Sequence, residues 1–126
     1  SQALKGNKIE LFQKKSIRDM TYIDDAISAI NCIFLNFEFN KHEVFNISSE
    51  QPITMEALLY EYQRILNSEI KFSYSAPFEG DLVFTSAECT KIKEYGYVPK
   101  FTIEEGLDNF SNWYINNLDF LKSIGL

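Results

Sequence analysis

The sequence predicts an α/β chain, or α+β if it stands by itself, on three observations. Apolar residues recur at helical spacing in three separate stretches. Short alternating or compact apolar runs lie between those stretches. Turn or capping residues stand at nearly every junction, so helices and strands alternate along the chain. With 126 residues, 45% of them hydrophobic, the chain is sized for one domain over residues 1–126 with a modest core.

Lys8–Phe12 and Ser16–Tyr22 flank the polar turn Gln13-Lys14-Lys15 and read as short strands or a hairpin. Ile23, Ala26, Ile27, Ile30, Ile33, Phe34 and Phe37 then form one broad apolar stripe on a helix, with Asp24 as N-cap and Asp25 in the first turn. After a polar loop, Glu38–Glu43, the run Val44–Ile47 reads as a compact strand buried on both sides. Thr54 caps a helix with Met55, Leu58, Leu59, Tyr62, Ile65 and Leu66 on one face. Ile70–Tyr74 alternates as a strand, and Pro77–Asp81 is a loop turning at Gly80, where a residue free of a Cβ is favoured. Ser86 is placed to cap a short helix ending at Gly96. Thr102 and Glu105 form a capping box opening a last helix with Ile103, Leu107, Phe110, Tyr114, Leu118 and Leu121 along one side. The opening Ser1–Gly6 reads as the end of a helix, so the expectation is a piece of a longer protein.

Charge and special residues narrow the function classes. The net charge of −6 argues against nucleic acid or an anionic membrane as partner. Its distribution is uneven: Lys5, Lys8, Lys14, Lys15 and Arg18 face Glu10 alone in the first 18 residues, a cationic stretch suited to a small phosphorylated ligand or to simple solvation. Cys32 and Cys89 stand far apart and His42 is the lone histidine. No metal-ligand spacing or Cys/His nucleophile pair results, and both thiols are expected to pack as small apolar groups in the reducing cytosol. No signal-peptide pattern or spanning apolar run is present.

Four landmarks recur together, in this order, in a known family. They are Arg18-Asp19-Met20-Thr21-Tyr22-Ile23-Asp24-Asp25; Phe45-Asn46-Ile47-Ser48-Ser49; Gly80-Asp81 with Thr85-Ser86-Ala87-Glu88 and Lys91; and Tyr95-Gly96-Tyr97-Val98-Pro99 followed by Gly106, Phe110, Trp113 and Tyr114. The chain thereby resembles the C-terminal, substrate-binding part of the extended short-chain dehydrogenase/reductases of the NAD-dependent epimerase/dehydratase type. Within that family it reads most like UDP-glucuronate 4-epimerases. The resemblance implies an NAD-dependent enzyme acting in the cytosol on a UDP-sugar or related nucleotide sugar, for surface polysaccharide, and a homo-oligomer. In the family, hydride passes from the sugar to NAD while a tyrosine removes the hydroxyl proton, and then returns to the other face.

The same resemblance marks what this stretch lacks. The family's NAD site is a glycine-rich loop at a helix N-terminus on a Rossmann sheet, whereas Gly6, Gly80, Gly96, Gly106 and Gly125 stand singly. Its base is a tyrosine with a lysine four residues on, and no tyrosine here has one; Tyr60 has Arg64. The expectation is therefore no catalytic, cofactor-binding or metal-binding residue in this chain, with NAD held by an upstream Rossmann part. A dehydratase or reductase of the same superfamily would share every landmark, and an inert binding or assembly fragment is the alternative of another class.

The binding residues follow by the same correspondence. Arg18 matches the arginine that grips the diphosphate, a bidentate fork that stays charged; the bland alternative pairs it with Asp19. Asp81 matches the aspartate that accepts the ribose hydroxyls, or else it makes a loop turn. Phe12 matches an aromatic by the base pocket, suited to stacking, and Leu11 with Glu10 offers backbone groups to the base edge. Phe78 stands where many relatives carry Arg or Gln, which removes one phosphate contact. Asp24 and Asp25 are read as helix-start residues rather than an acid–base pair, Trp113 and Tyr114 as packing of the last helix, and His42 as solvent-facing. Val44–Ile47 and the helix before it would pack on the Rossmann part, leaving apolar surface and self-association without it.

Overall fold

A computed structural model describes residues 2–12, 15–36, 38 and 42–125, so Phe37 and most of the Gln13–Lys15 turn lie outside the description. The elements are β1 (Ile9–Phe12), β2 (Ile17–Asp19), α1 (Ile23–Asn36), β3 (Pro52–Thr54), α2 (Met55–Leu66), β4 (Phe72–Ser75), α3 (Thr90–Lys93), α4 (Ile103–Asn116) and α5 (Leu118–Ser123). Mixed helix and strand agree with the expected class.

The strands do not form the hairpin that was one reading of the sequence. β1 pairs in parallel with β4, Ile9 opposite Phe72 through Phe12 opposite Ser75. β2 pairs antiparallel with β3, placing Arg18 opposite Ile53. Parallel pairing demands a long crossover, and α1, β3 and α2 supply it. The segment after β4 returns to the free edge of β2: Ile17 N–H donates to the Val83 carbonyl (2.8 Å) and Thr85 N–H to the Ile17 carbonyl (3.1 Å). β2 is thus held from both sides, and the strand read as Ser16–Tyr22 is only three residues long.

Two apolar clusters result. Ala29, Cys89, Ile92 and Tyr97 form one, with Cys32, Ile33, Phe45 and Ile47 against it. Leu11, Leu59 and Ile70 form the other, with Ile9, Met55, Tyr62 and Phe72 around them. The α2 reading holds in detail: the Thr54 hydroxyl accepts from Ala57 N–H, and Asn67 ends the helix in the left-handed region at φ 45°. The capping box of α4 is complete, Thr102 and Glu105 each bonding the other's backbone. Gly106 lets α4 approach β2's exit closely, for a Cβ there would stand 3.3 Å from Tyr22 Cβ.

α1 begins at Ile23, so Asp24 lies inside the first turn rather than capping it. The buried side of α1 carries Asp25 and Ala29 with Cys32 and Ile33, whereas Ile23, Ile27, Ile30 and Phe34 are exposed. The apolar face of the helix is wider than this core, which meets only the flank with Ala29, Cys32 and Ile33 and leaves the rest outside. Val44–Ile47 is extended but unladdered; Phe45 and Ile47 face the first cluster while Val44 is exposed. A strand needs a neighbour for its backbone groups, and here the Val44 carbonyl instead accepts from Lys91 Nζ at 2.9 Å.

Ser86 caps no helix: α3 starts at Thr90, with Cys89 at the cap position making no capping bond, its Sγ lying 3.3 Å from Ser48 Oγ instead. The Glu88 carboxylate accepts from Thr90 N–H instead. The last helix is two helices that join at Asn117, whose side-chain amide donates to the Trp113 carbonyl (2.8 Å). Trp113 is half exposed rather than buried packing; it stacks on Phe110 at 6.2 Å.

Candidate functional site

Arg18 extends from β2 and is steadied at its own base, Nη1 donating to the Ile17 carbonyl at 2.9 Å. Its Nη2 donates to Asp81 Oδ1 at 3.2 Å. These residues are 63 positions apart and are brought together because the 83–85 segment zips onto β2. Asp81 is aimed by a turn in which its N–H donates to the Phe78 carbonyl (3.1 Å), with Gly80 at φ +86° and open space where a Cβ would be. That backbone region is accessible to glycine at low cost. The side chains are 26% and 13% exposed, so the pair sits at the surface, sheltered but reachable.

The neighbouring acid is used elsewhere. Asp19 accepts from Ser49 Oγ (3.0 Å) and from Ala87 N–H (3.4 Å), so it ties two loops together and Arg18 pairs with Asp81 instead. A guanidinium has five N–H donors, and the bonds to Ile17 and Asp81 leave donors over for an incoming anion. The carboxylate likewise keeps acceptor capacity for hydroxyl donors.

Phe12 ends β1, beside this pair in the fold through its contact with Phe78: ring centroids are 4.6 Å apart, tilted by 42°. Leu11 is different. Its side chain belongs to the second apolar cluster, and Ile9 N–H bonding to the Lys71 carbonyl (2.8 Å) sets an alternation that turns the backbone of Leu11 toward β4 and those of Glu10 and Phe12 away. The Glu10 carboxylate accepts from Ser75 Oγ across the strands. Phe78 was legible only as a missing charge. Its contact with Phe12 depends on the β1–β4 pairing, which no local pattern encodes.

The more enclosed clefts lie elsewhere. One of about 330 Å³ is lined by Leu59, Tyr62, Phe110 and Ser111, and another of about 240 Å³ by Tyr22, Phe101 and Leu107. Neither has a charged wall residue, and an unpaired diphosphate would be poorly solvated in them. The Arg18–Asp81 surface, by contrast, offers both a cation and a carboxylate.

The described residues do not fit a dinucleotide site. Gly6, Gly80, Gly96 and Gly125 are single turning points at positive φ, and Gly106 lies within α4; none joins a strand to a helix N-terminus beside a second glycine. Among the described residues no group of three metal-binding side chains occurs, and no helix is long and apolar enough to cross a membrane.

No family model matches the chain. The uncharacterized protein MJ1055 of Methanocaldococcus jannaschii is 34% identical over 94% of this chain and 36% of its own length. UDP-glucuronate 4-epimerase 1 of Arabidopsis thaliana is 27% identical over 90% of this chain and 30% of its own. Among solved structures, dTDP-glucose 4,6-dehydratase from Bacillus anthracis in complex with NAD superposes with TM-score 0.83 at 25% identity, over 97% of this chain and 39% of that one. UDP-glucose 4-epimerase from Thermotoga maritima with UDP-glucose gives 0.81 at 28%, over 93% and 38%. The chain spans about a third of the length of the curated relatives it matches. The four motifs, the fold and these relatives agree, and over nearly its whole length the chain is similar to part of the NAD-dependent sugar epimerases and dehydratases of the extended short-chain dehydrogenase/reductase type.

Proposed function

We propose that this chain holds the nucleoside-diphosphate end of a nucleotide sugar for an NAD-dependent 4-epimerase acting on a UDP-hexuronic acid or UDP-hexose. The observation that carries the reading is the meeting of Arg18 with Asp81 at 3.2 Å from separate elements. Arg18 grips the diphosphate with its remaining donors, Asp81 accepts the ribose hydroxyls, and Phe12 offers a ring to the base, with the backbone beside Leu11 at the pocket wall. NAD and the proton-transfer groups belong to a Rossmann part outside this chain, because the residues present do not suit them. Anchoring the substrate far from the reacting carbon uses remote binding energy for orientation.

Calorimetric titration of the chain with uridine diphosphate tests this. Binding that weakens about tenfold or more in Arg18→Ala supports the anchor; absence of any heat over millimolar ligand favours an inert fragment. A dehydratase of the same superfamily has support of its own, since the Bacillus anthracis dehydratase shares this fold. The residues beside the tyrosine–lysine pair of the full protein, an acid above all, distinguish the two.

A further inference from the structure

We propose that Phe78 is a nucleobase-recognition residue, forming with Phe12 a two-ring platform that selects ligands carrying an aromatic base. The inference rests on the reading of Arg18 and Asp81 as a nucleoside-diphosphate anchor and adds to it a residue and a selectivity. Phe12 and Phe78 are 40% and 59% exposed. They come from different elements, the end of β1 and the loop after β4, yet meet ring to ring at 4.6 Å. With the rings tilted by 42°, nothing flat fits between them, so their outer faces are what the surface presents. Each ring thus keeps a face open to water next to the turn that carries Asp81, where a flat ring can stack on it.

Position gives the platform its ligand. The Asp81 N–H to Phe78 carbonyl bond makes these two the ends of a β-turn, which keeps their Cα atoms within about 7 Å, the scale of one nucleoside. Along this surface the order is aromatic ring, carboxylate, guanidinium. That order matches a flat base, a vicinal diol and an anionic phosphate, taken in sequence. A sugar phosphate or free pyrophosphate would use only one end. Ring stacking tolerates any base face, so the platform demands a nucleotide without naming which one.

The test titrates the chain with uridine diphosphate by calorimetry and by saturation-transfer NMR read at uracil H5 and H6. Phe78→Ala and Phe78→Leu are expected to weaken binding about tenfold and to remove the transfer to uracil, while Phe78→Tyr restores both. Unchanged urea midpoints in the variants exclude misfolding as the cause. Ligand binding that depends on Arg18 but is indifferent to Phe78→Ala, with uracil saturation intact, overturns the platform and leaves the anchor standing. No binding to the unaltered chain overturns both.

Discussion

Asp25 shows how a single buried charge holds distant chain together. It is 1% exposed, and its two oxygens accept from Lys100 N–H (2.9 Å) and Phe101 N–H (3.3 Å), pinning the approach to α4 onto α1. Asp25→Ala would orphan two backbone donors at once, so urea denaturation should show a loss on the order of 3 kcal/mol. A loss below about 1 kcal/mol would mean water replaces the carboxylate at no cost. Tyr97 is the second such residue. Its hydroxyl donates to the Ser48 carbonyl at 3.0 Å, and burial, followed by the nearby Asp25 charge, pushes its pKa up to about 12. A raised folded-state pKa means that the stabilisation is whole below the ordinary value near 10 and is lost as pH climbs through about 12. Tyr97→Phe should therefore cost about 1 kcal/mol at neutral pH and flatten the alkaline decline. An unaltered slope of stability against pH between those two values would show that Tyr97 does not drive it.

At the level of elements, capping separates sequence signals that act from those that only look right. Thr102→Ala removes a hydroxyl that accepts from Glu105 N–H at 3.2 Å and should destabilise by about 1 kcal/mol. Ser86→Ala, at a residue with no helix to cap, should change the urea midpoint by a few tenths of a kcal/mol at most. Equal effects of the two would contradict the observed start of α3 at Thr90. The site itself depends on elements in the same way. Arg18 and Asp81 meet only because the 83–85 segment ladders onto β2, so breaking that ladder with Thr85→Pro, which removes the N–H bonded to Ile17, should abolish uridine diphosphate binding without touching either side chain.

The whole molecule presents 8621 Å² to solvent, against roughly 6,900 Å² for a compact monomer of its mass. One run of exposed apolar side chains lies on α1, where Ile23, Ile27 and Ile30 point outward, with Val44 also exposed. Such a patch seeks cover, and in the longer relatives there is twice as much additional chain to provide it. Alone, the 126-residue chain is expected to self-associate, and light scattering should report dimers or larger species at high concentration. Ile27→Glu with Ile30→Glu should return it to monomer with its circular dichroism preserved. A monodisperse monomer without those substitutions would show that the patch tolerates water.

What the sequence determined by itself were the local and chemical features. The Thr54 and Thr102 caps, the α2 stripe and the Gly80 turn all act within a few residues of one another, where spacing along the chain and distance in space are the same thing. The four ordered motifs carried the family for a similar reason, as each is a contiguous string. The tertiary structure alone decided which strand meets which, which part of α1's broad apolar face is buried, and that Arg18 faces Asp81 rather than Asp19. It also set Phe78 against Phe12. The β1–β4 ladder, the Arg18–Asp81 pair and the Phe12–Phe78 contact each join residues more than sixty positions apart, and no period in a sequence specifies the partner at that range.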